Sequence, residues 1–104
     1  MQLSKKIPLV ASLLLVTLIP PSLAADVEKG KQKSIICASC HGGNGISSSP
    51  LWPNLAGQKP AYLEKQLHAF RSGERKDAMM VSMAKPLSDE DIKNLAAYYA
   101  SLKP

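Results

Sequence analysis

The sequence lacks the patterns that are typical of several protein classes. It has no internal repeat, no low-complexity tract and no sustained alternation of polar and apolar residues, so neither a repeat array nor a β-sheet is expected. No arginine-rich run is interleaved with aromatic residues, and a nucleic-acid partner is therefore not expected. Only one Phe and one Trp are present, so helices of this composition would enclose a thin core. This shortage predicts a large apolar group that the chain itself does not supply.

Acidic side chains are also absent from the first 24 residues, which have the features of a secretory signal peptide. Lys5 and Lys6 precede a mainly apolar run of 13 residues, 7–19, and paired prolines follow the run. The Ser-Leu-Ala sequence at 22–24 has the small-x-small pattern that signal peptidase accepts. The apolar run is shorter than the roughly 20 residues needed to cross a bilayer, which argues against the alternative of a retained membrane anchor. We therefore expect residues 1–24 to be a cleaved signal peptide and residues 25–104 to be one exported domain.

The expected mature chain of 80 residues has room for one domain only, which excludes a two-domain enzyme. A chain of this size buries only about 60% of its unfolded surface, so it usually needs a disulfide, a metal or a cofactor for stability. Removal of Lys5 and Lys6 with the leader reduces the formal charge from +5 to +3. The remaining charges are clustered, which predicts an uneven surface; the clusters are Lys29, Lys31 and Lys33, and Asp89, Glu90 and Asp91.

The first part of the mature chain is predicted to form a helix followed by a long loop. Residues 26–36 include good helix formers with acids at their start, and they lead directly into Cys37. Residues 42–57 contain four glycines, two prolines and three consecutive serines, which predict an irregular segment. A loop of this length is uncommon in a compact domain, so we expect it to pack around a bound group.

Two further helices are indicated by apolar residues at helical spacing. Pro60 suits the first turn of the second helix, and Gly73 ends it. Ser88 has the position of an N-cap for the third helix, with Asp91 three residues later in a capping box. The mature chain is therefore expected to be all-α, with three main helices joined by loops.

Both cysteines belong to a C-x-x-C-H motif formed by Cys37, Cys40 and His41. This motif is the attachment sequence for c-type haem. Residues i and i+3 share a face of a helix, so both thiols can add to the vinyl groups of one porphyrin while the next residue directs an imidazole at the iron. Covalent attachment would also stabilise a chain as short as this one.

Three other interpretations of the motif are weaker. A thioredoxin-like redox pair would need a preceding strand and a βαβ pattern, and neither is visible. Structural zinc would need further ligands, but the sequence has no second cysteine pair and only one other histidine, His68. A plain disulfide remains possible in an exported protein, although it assigns no role to His41.

The candidates for a second iron ligand are one histidine and three methionines. His68 falls about 140° from Leu63 on a helical wheel, among charged residues, so a solvent-facing side chain is expected. Met79, Met80 and Met83 are better candidates, because a thioether is a soft ligand and the His/Met pair raises the potential of haem iron. Spacing alone does not distinguish among the three methionines.

With these motifs identified, the mature chain resembles class I cytochromes c, in particular the short bacterial cytochrome c-553 and cytochrome c4 group. The resemblance spans essentially residues 25–104 and is carried by five segments: DVEKGK, CASCHGGNG, LWPNLAGQ, YLEKQLHAFRSGERKDAMM and LSDEDIKNLAAYYASL. It implies a small class I cytochrome c fold wrapped around one covalently bound haem c. The single C-x-x-C-H motif corresponds to one haem domain, whereas cytochrome c4 has two.

The resemblance also implies roles for individual residues. Cys37 and Cys40 would attach the haem, His41 would be the proximal iron ligand, and the Pro53 carbonyl would accept a hydrogen bond from the other ring nitrogen of His41. Met80 would be the distal ligand, because it lies seven residues before the leucine that opens the last helix. The close crossing of the first and last helices would involve Gly30, Leu95 and Tyr98. Ser34 departs from the family pattern, which often has an aromatic residue there, and this change is expected to loosen the crossing.

The function implied by the resemblance is electron transfer in the periplasm, without catalysis of a chemical reaction. A soluble, monomeric carrier would exchange electrons with transient donor and acceptor proteins, and it would be at most peripheral to membrane respiratory complexes. Two alternatives remain open. One is a haem-binding subunit of a larger oxidoreductase, and the other is a small haem peroxidase or gas sensor in which the sixth iron position is available.

Overall fold

The computed structural model describes residues 2–18 and 24–104, and within those ranges it contains helices and no strand. The five α-helices are α1 (Val27–Lys33), α2 (Ala38–His41), α3 (Pro60–Ser72), α4 (Ala78–Ala84) and α5 (Asp89–Ser101). A 3-10 turn, Ser34–Ile36, connects α1 to the start of α2. The expected all-α class is confirmed. The expected three main helices correspond to α1, α3 and α5.

The first predicted helix is shorter than expected. Asp26 caps α1, since its carboxylate accepts the backbone N–H of Lys29 at 3.0 Å. The α-helix ends at Lys33, and the 3-10 turn then carries the chain to Cys37. The continuous helix predicted over residues 26–36 is therefore wrong in its last turn, because the backbone tightens before the cysteine motif.

Helices α3 and α5 begin and end as their sequences predict. Pro60 occupies the first turn of α3, and Gly73 ends that helix in the left-handed conformation with φ of 79°. The capping box of α5 is complete, with the Asp91 N–H donating to Ser88 Oγ and the Ser88 N–H donating to Asp91 Oδ2, both at 3.0 Å. These two helices therefore have locally defined boundaries.

Helix α4 was not expected from the sequence. Asp77 forms its N-cap and accepts the backbone N–H of Met80 at 2.9 Å. The helix has only seven residues, so it is too short to display a sustained apolar period. Its importance for the site is that it places the methionine cluster on a helix held by a specific cap.

Helix α1 packs against helix α5, so the first and last helices of the domain cross each other. A Cβ atom at Gly30 would overlap the carbonyl oxygen of Asn94 and lie 2.8 Å from the Tyr98 Cβ, so only glycine allows this approach. The buried Asn94 side chain accepts the Asp26 N–H at 2.8 Å through Oδ1. Ser34 is itself buried in this region, and the loosening expected at this position stays a prediction.

The clustered charges of the sequence pair with one another across the same crossing. Lys29 Nζ lies 3.6 Å from Glu90 Oε1, and Lys33 Nζ lies 3.4 Å from Asp91 Oδ2. The two clusters predicted from the sequence therefore partly offset each other where α1 meets α5. Exposed pairs of this kind contribute about 0–1 kcal/mol each to stability, so their main effect is to neutralise this surface.

One hydrophobic core lies between α3, α4 and α5. Its buried members are Leu63, Phe70, Ala84, Leu87, Ile92, Leu95, Ala96, Tyr98 and Tyr99. Five partly buried residues pack against this core, and they include Cys37 of the haem motif and Met80 of α4. The core therefore brings two distant candidate site residues to a common apolar environment.

Residues 2–18 have no regular secondary structure, and their large apolar side chains are exposed. Across residues 2–18 and 24–104, no helix has the length and hydrophobicity required to cross a membrane. The predicted cleavage sequence falls largely outside the described residues, since Ser22 and Leu23 are not among them.

Candidate functional site

The cysteine motif forms the short helix α2 and the residue before it. Cys37 is the N-cap of α2, and the His41 N–H donates to the Cys37 carbonyl at 2.9 Å, which closes one helical turn. Both cysteines are free and partly buried. The structure therefore presents two thiols one turn apart, followed by a histidine that is only 7% exposed.

The imidazole of His41 is oriented by a backbone carbonyl. Its Nδ1 atom lies 2.8 Å from the Pro53 oxygen. A carbonyl oxygen can only accept, so Nδ1 must carry the proton and donate to Pro53. The proton is thereby assigned away from Nε2, whose lone pair suits a metal ion. The contact between His41 and Pro53 that the family resemblance implies is present in the structure.

The loop that carries Pro53 is held by hydrogen bonds within itself. The Gly45 carbonyl accepts the N–H groups of Leu55 at 2.8 Å and Ala56 at 2.9 Å. The Asn54 side chain accepts the Ser47 N–H at 2.7 Å. Gly45 has φ of 77°, a conformation that favours glycine. These contacts fix the segment next to Pro53, and so they fix the acceptor for the His41 ring.

The three methionines have different environments on α4. Met80 is partly buried and packs against the hydrophobic core, whereas the side chain of Met79 is 58% exposed and that of Met83 is 38% exposed. Met80 is also the residue whose N–H is bound by Asp77. Spacing alone left the three residues equivalent, but burial separates them and favours Met80.

The second histidine lies away from this group of residues. His68 is on the exposed side of α3, where its Nδ1 is 3.0 Å from a guanidinium nitrogen of Arg71. The same Arg71 nitrogen donates to Asp89 Oδ1 at 2.6 Å, and a second donates to the Leu87 carbonyl at 3.0 Å. The solvent-facing position expected for His68 is confirmed. Sequence reasoning missed this Arg71 contact, because its partners are 16 and 18 residues away along the chain.

The alternative of structural zinc receives no support. Throughout the part of the chain that the structure describes, no three His, Cys, Asp or Glu side chains are grouped so as to hold a metal ion. A closed zinc site would need four such ligands.

The environment of Cys37 is apolar. Burial is the main cause that raises the pKa of its thiol, while the nearby Tyr99 hydroxyl acts in the opposite direction. The thiol is therefore protonated at neutral pH. A protonated thiol is a poor metal ligand, because the thiolate is the form that binds metal ions.

The donor set fits a haem. Thiols at i and i+3 match two vinyl groups, and a buried imidazole with a hydrogen-bonded Nδ1 matches a proximal iron ligand. A thioether that packs on the core, that of Met80, can complete the set. These requirements are chemical, and the residues of this chain meet each of them.

Comparison with known proteins agrees with this chemistry. A sequence model of the cytochrome c family matches residues 27–103. Cytochrome c-554(548) of Halomonas halodenitrificans is 47% identical over 81 residues, which cover 75% of this chain and 98% of that protein. Cytochrome c4 of Pseudomonas aeruginosa is 42% identical over 80 residues, 77% of this chain and 40% of that protein.

A solved structure shows the same fold. The crystal structure of reduced recombinant cytochrome c4 from Pseudomonas stutzeri superposes with a TM-score of 0.73 at 42% identity. The match covers 77% of this chain and 47% of that chain, so this protein spans less than half of that cytochrome c4. Haem-based electron transfer is the activity that such relatives imply, and the chain carries covalently bound haem c at the Cys37 and Cys40 motif. The matched residues, the fold and the attachment motif together make the chain a member of the cytochrome c family.

Proposed function

We propose that this protein is a soluble, monomeric, periplasmic electron carrier with one haem, whose iron is ligated by His41 and Met80. The observation that carries the proposal is the 2.8 Å contact between His41 Nδ1 and the Pro53 carbonyl. It assigns the ring proton to Nδ1 and leaves the Nε2 lone pair available to bind the haem iron. When bound, the haem supplies a one-electron Fe(III)/Fe(II) couple, and the residues of the chain set the environment of that couple.

Met80 is the distal ligand in this proposal. Its partly buried side chain packs on the core, and Asp77 holds its backbone N–H at 2.9 Å. A thioether ligand favours the reduced iron and raises the reduction potential relative to a site with no such ligand. A Met ligand that stays bound in both oxidation states also keeps exogenous molecules from the sixth position, which suits a carrier and not a peroxidase or gas sensor.

The apolar residues around the motif support electron transfer by excluding water. Phe70, Leu87 and Leu95 are buried in the core against which both Cys37 and Met80 pack. A dry environment limits the solvent reorganisation that accompanies a change of iron charge, and it tunes the potential.

Export follows from the first 24 residues. We propose that they are removed as a signal peptide after Ala24, which leaves a domain whose first helix is capped by Asp26. Mass spectrometry of the protein purified from the periplasmic fraction should give the mass of residues 25–104 plus one haem. A protein that retains residues 1–24 would instead support the membrane-anchor alternative.

The function is tested by redox titration combined with carbon monoxide binding to the purified, haem-loaded protein. A carrier should show reversible one-electron titration and slow or negligible binding of carbon monoxide to the ferrous form. Rapid binding would indicate an open sixth position and would favour the gas-sensor or peroxidase alternative. Stable copurification with a catalytic protein would favour the subunit alternative.

Partner encounters are expected to depend on lysines that have no acidic partner among the described residues. The ion pairs at the α1–α5 crossing neutralise Lys29 and Lys33, whereas Lys59 and Lys85 are exposed and lie directly before α3 and directly after α4. Weak contacts of this kind typically bury less than about 1,200 Å² in total. The remaining positive charge favours acidic partner surfaces.

Charge reversal at Lys59 or Lys85 should slow electron transfer to an acidic acceptor without a change in reduction potential. Two charges 4 Å apart in water interact by about 1 kcal/mol, and reversal replaces this attraction by repulsion, so a decrease of about fivefold or more is expected at low ionic strength. Stopped-flow rates measured across a salt series test this result, and wild-type rates should fall as salt increases. Lys93→Glu is the matched control, since Lys93 lies beside Asp26 and Asn94 at the α1–α5 crossing. Rates that stay constant or rise with salt would contradict lysine steering.

A further inference from the structure

The hydroxyl of Tyr99 is a buried polar group without a hydrogen bond of normal geometry. Tyr99 is 4% exposed, and its hydroxyl is the one buried side-chain polar atom in the described ranges that has no such partner. Leaving a buried donor unpaired costs about 1–3 kcal/mol, so a native protein is expected to provide an acceptor. The surroundings of Tyr99 therefore indicate what that acceptor is.

Two polar groups lie near this hydroxyl, the Cys37 thiol and the Ser34 hydroxyl. The Ser34 hydroxyl donates its proton to the Lys31 carbonyl at 2.7 Å, so toward Tyr99 it can act only as an acceptor. Burial raises the pKa of the Tyr99 phenol, which therefore keeps its proton at physiological pH and acts as a donor. The Tyr99 hydroxyl is therefore a hydrogen-bond donor close to Cys37, the first residue of the haem motif.

We propose that, in the haem-loaded protein, the Tyr99 hydroxyl donates a hydrogen bond to the sulfur of Cys37 and so positions the attached edge of the cofactor. A free thiol can donate or accept, whereas a thioether sulfur has no proton and can only accept. After attachment the Cys37 sulfur can only accept, so in this pair the Tyr99 hydroxyl is the donor. The proposal rests on attachment of haem at Cys37.

The backbone of Tyr99 strengthens this positioning role. Its carbonyl accepts the Gly57 N–H at 2.9 Å, which joins α5 to the end of the loop that carries Pro53. Tyr99 therefore connects to both sides of the site, through its hydroxyl to the attachment sulfur and through its carbonyl to the loop that orients His41.

The variant Tyr99→Phe tests the proposal, because it removes the hydroxyl and keeps the ring. In the haem-loaded wild type, the carbon–sulfur stretching bands seen by resonance Raman should shift on transfer to deuterated water, and this isotope shift should be lost in the variant. The unfolding equilibrium constant should rise about fivefold, equivalent to about 1 kcal/mol. Equal or greater stability with unchanged carbon–sulfur bands would show that the hydroxyl is unpaired, and it would overturn the proposal.

Two control variants make the result specific. Tyr98→Phe removes the neighbouring hydroxyl, which lies 3.5 Å from the Gly43 carbonyl, and it should leave the carbon–sulfur bands unchanged. Ser34→Ala tests the other candidate acceptor. The proposal would be overturned if this variant reproduced the changes of Tyr99→Phe, or if Tyr99→Phe lost stability without altering the carbon–sulfur bands. Acid-acetone extraction of the wild type tests attachment separately, so a failure at that step is distinguishable from a failure at Tyr99.

Discussion

Met80→Ala should lower the reduction potential of the protein and abolish the charge-transfer band between methionine sulfur and ferric iron. With Met80 as the proposed distal ligand, loss of its thioether would remove the ligand that favours reduced iron and would open the sixth position. Axial ligands set haem potentials over a range of about 0.8 V, so a decrease on the order of 0.1 V or more is expected. Potentiometric titration and the visible absorption spectrum of the ferric protein measure both effects.

Met79→Ala and Met83→Ala are matched controls, because they remove the same side chain from the same helix. Met79 is more than half exposed, and Met83 is more exposed than the core residues, so neither substitution should change the band. Imidazole should bind the ferric form of Met80→Ala much faster than it binds either control. If one of the controls lost the band while Met80→Ala kept it, the assignment of the distal ligand would be wrong.

Cys37→Ala and Cys40→Ala should each weaken or abolish formation of the haem-loaded protein. The wild-type protein should retain its haem through denaturation and acid-acetone extraction, because both thiols form covalent bonds to the cofactor. Each variant loses one of these bonds, and Cys37→Ala also removes a side chain that packs against the core. Haem staining of a denaturing gel, normalised to total protein, measures the loss.

Ser39→Ala is the control for the cysteine variants, since Ser39 lies between the two thiols and is exposed. Its hydroxyl donates to the Ile36 carbonyl at 3.2 Å and makes only a long contact of 4.0 Å with Cys40 Sγ. Normal haem content is expected in this variant. Complete extraction of haem from the wild-type protein by acid-acetone would contradict covalent attachment.

Local sequence signals predicted the parts of the fold that depend on neighbouring residues. The capping box of Ser88 and Asp91 forms as expected, because both of its hydrogen bonds join residues three positions apart. The geometry of the C-x-x-C-H motif was also predictable, because its residues lie within one helical turn. The end of α3 at Gly73 is likewise a property of one residue and its immediate neighbours.

The features that the sequence did not reveal are those that depend on distant contacts. The pairing of Lys29 with Glu90 requires knowledge that α1 crosses α5, so the order of charges along the chain does not reveal it. The hydroxyl of Tyr99 reaches the haem motif from a helix 62 positions later than Cys37. Helix α4 is a different case: its cap at Asp77 is a local signal, but a helix of two turns has too little periodicity for the pattern to stand out.

The crossing of α1 and α5 has a consequence for how the chain acquires its structure. The bond between the Asp26 N–H and Asn94 Oδ1 spans 68 positions, nearly the whole domain, so closing it carries the entropic cost of a long loop. The crossing that contains this bond cannot close until the last helix is available to dock against the first. The segment with Cys37 and Cys40 thus remains accessible in the unclosed chain, which gives the attachment reaction a period in which to act before the last helix docks.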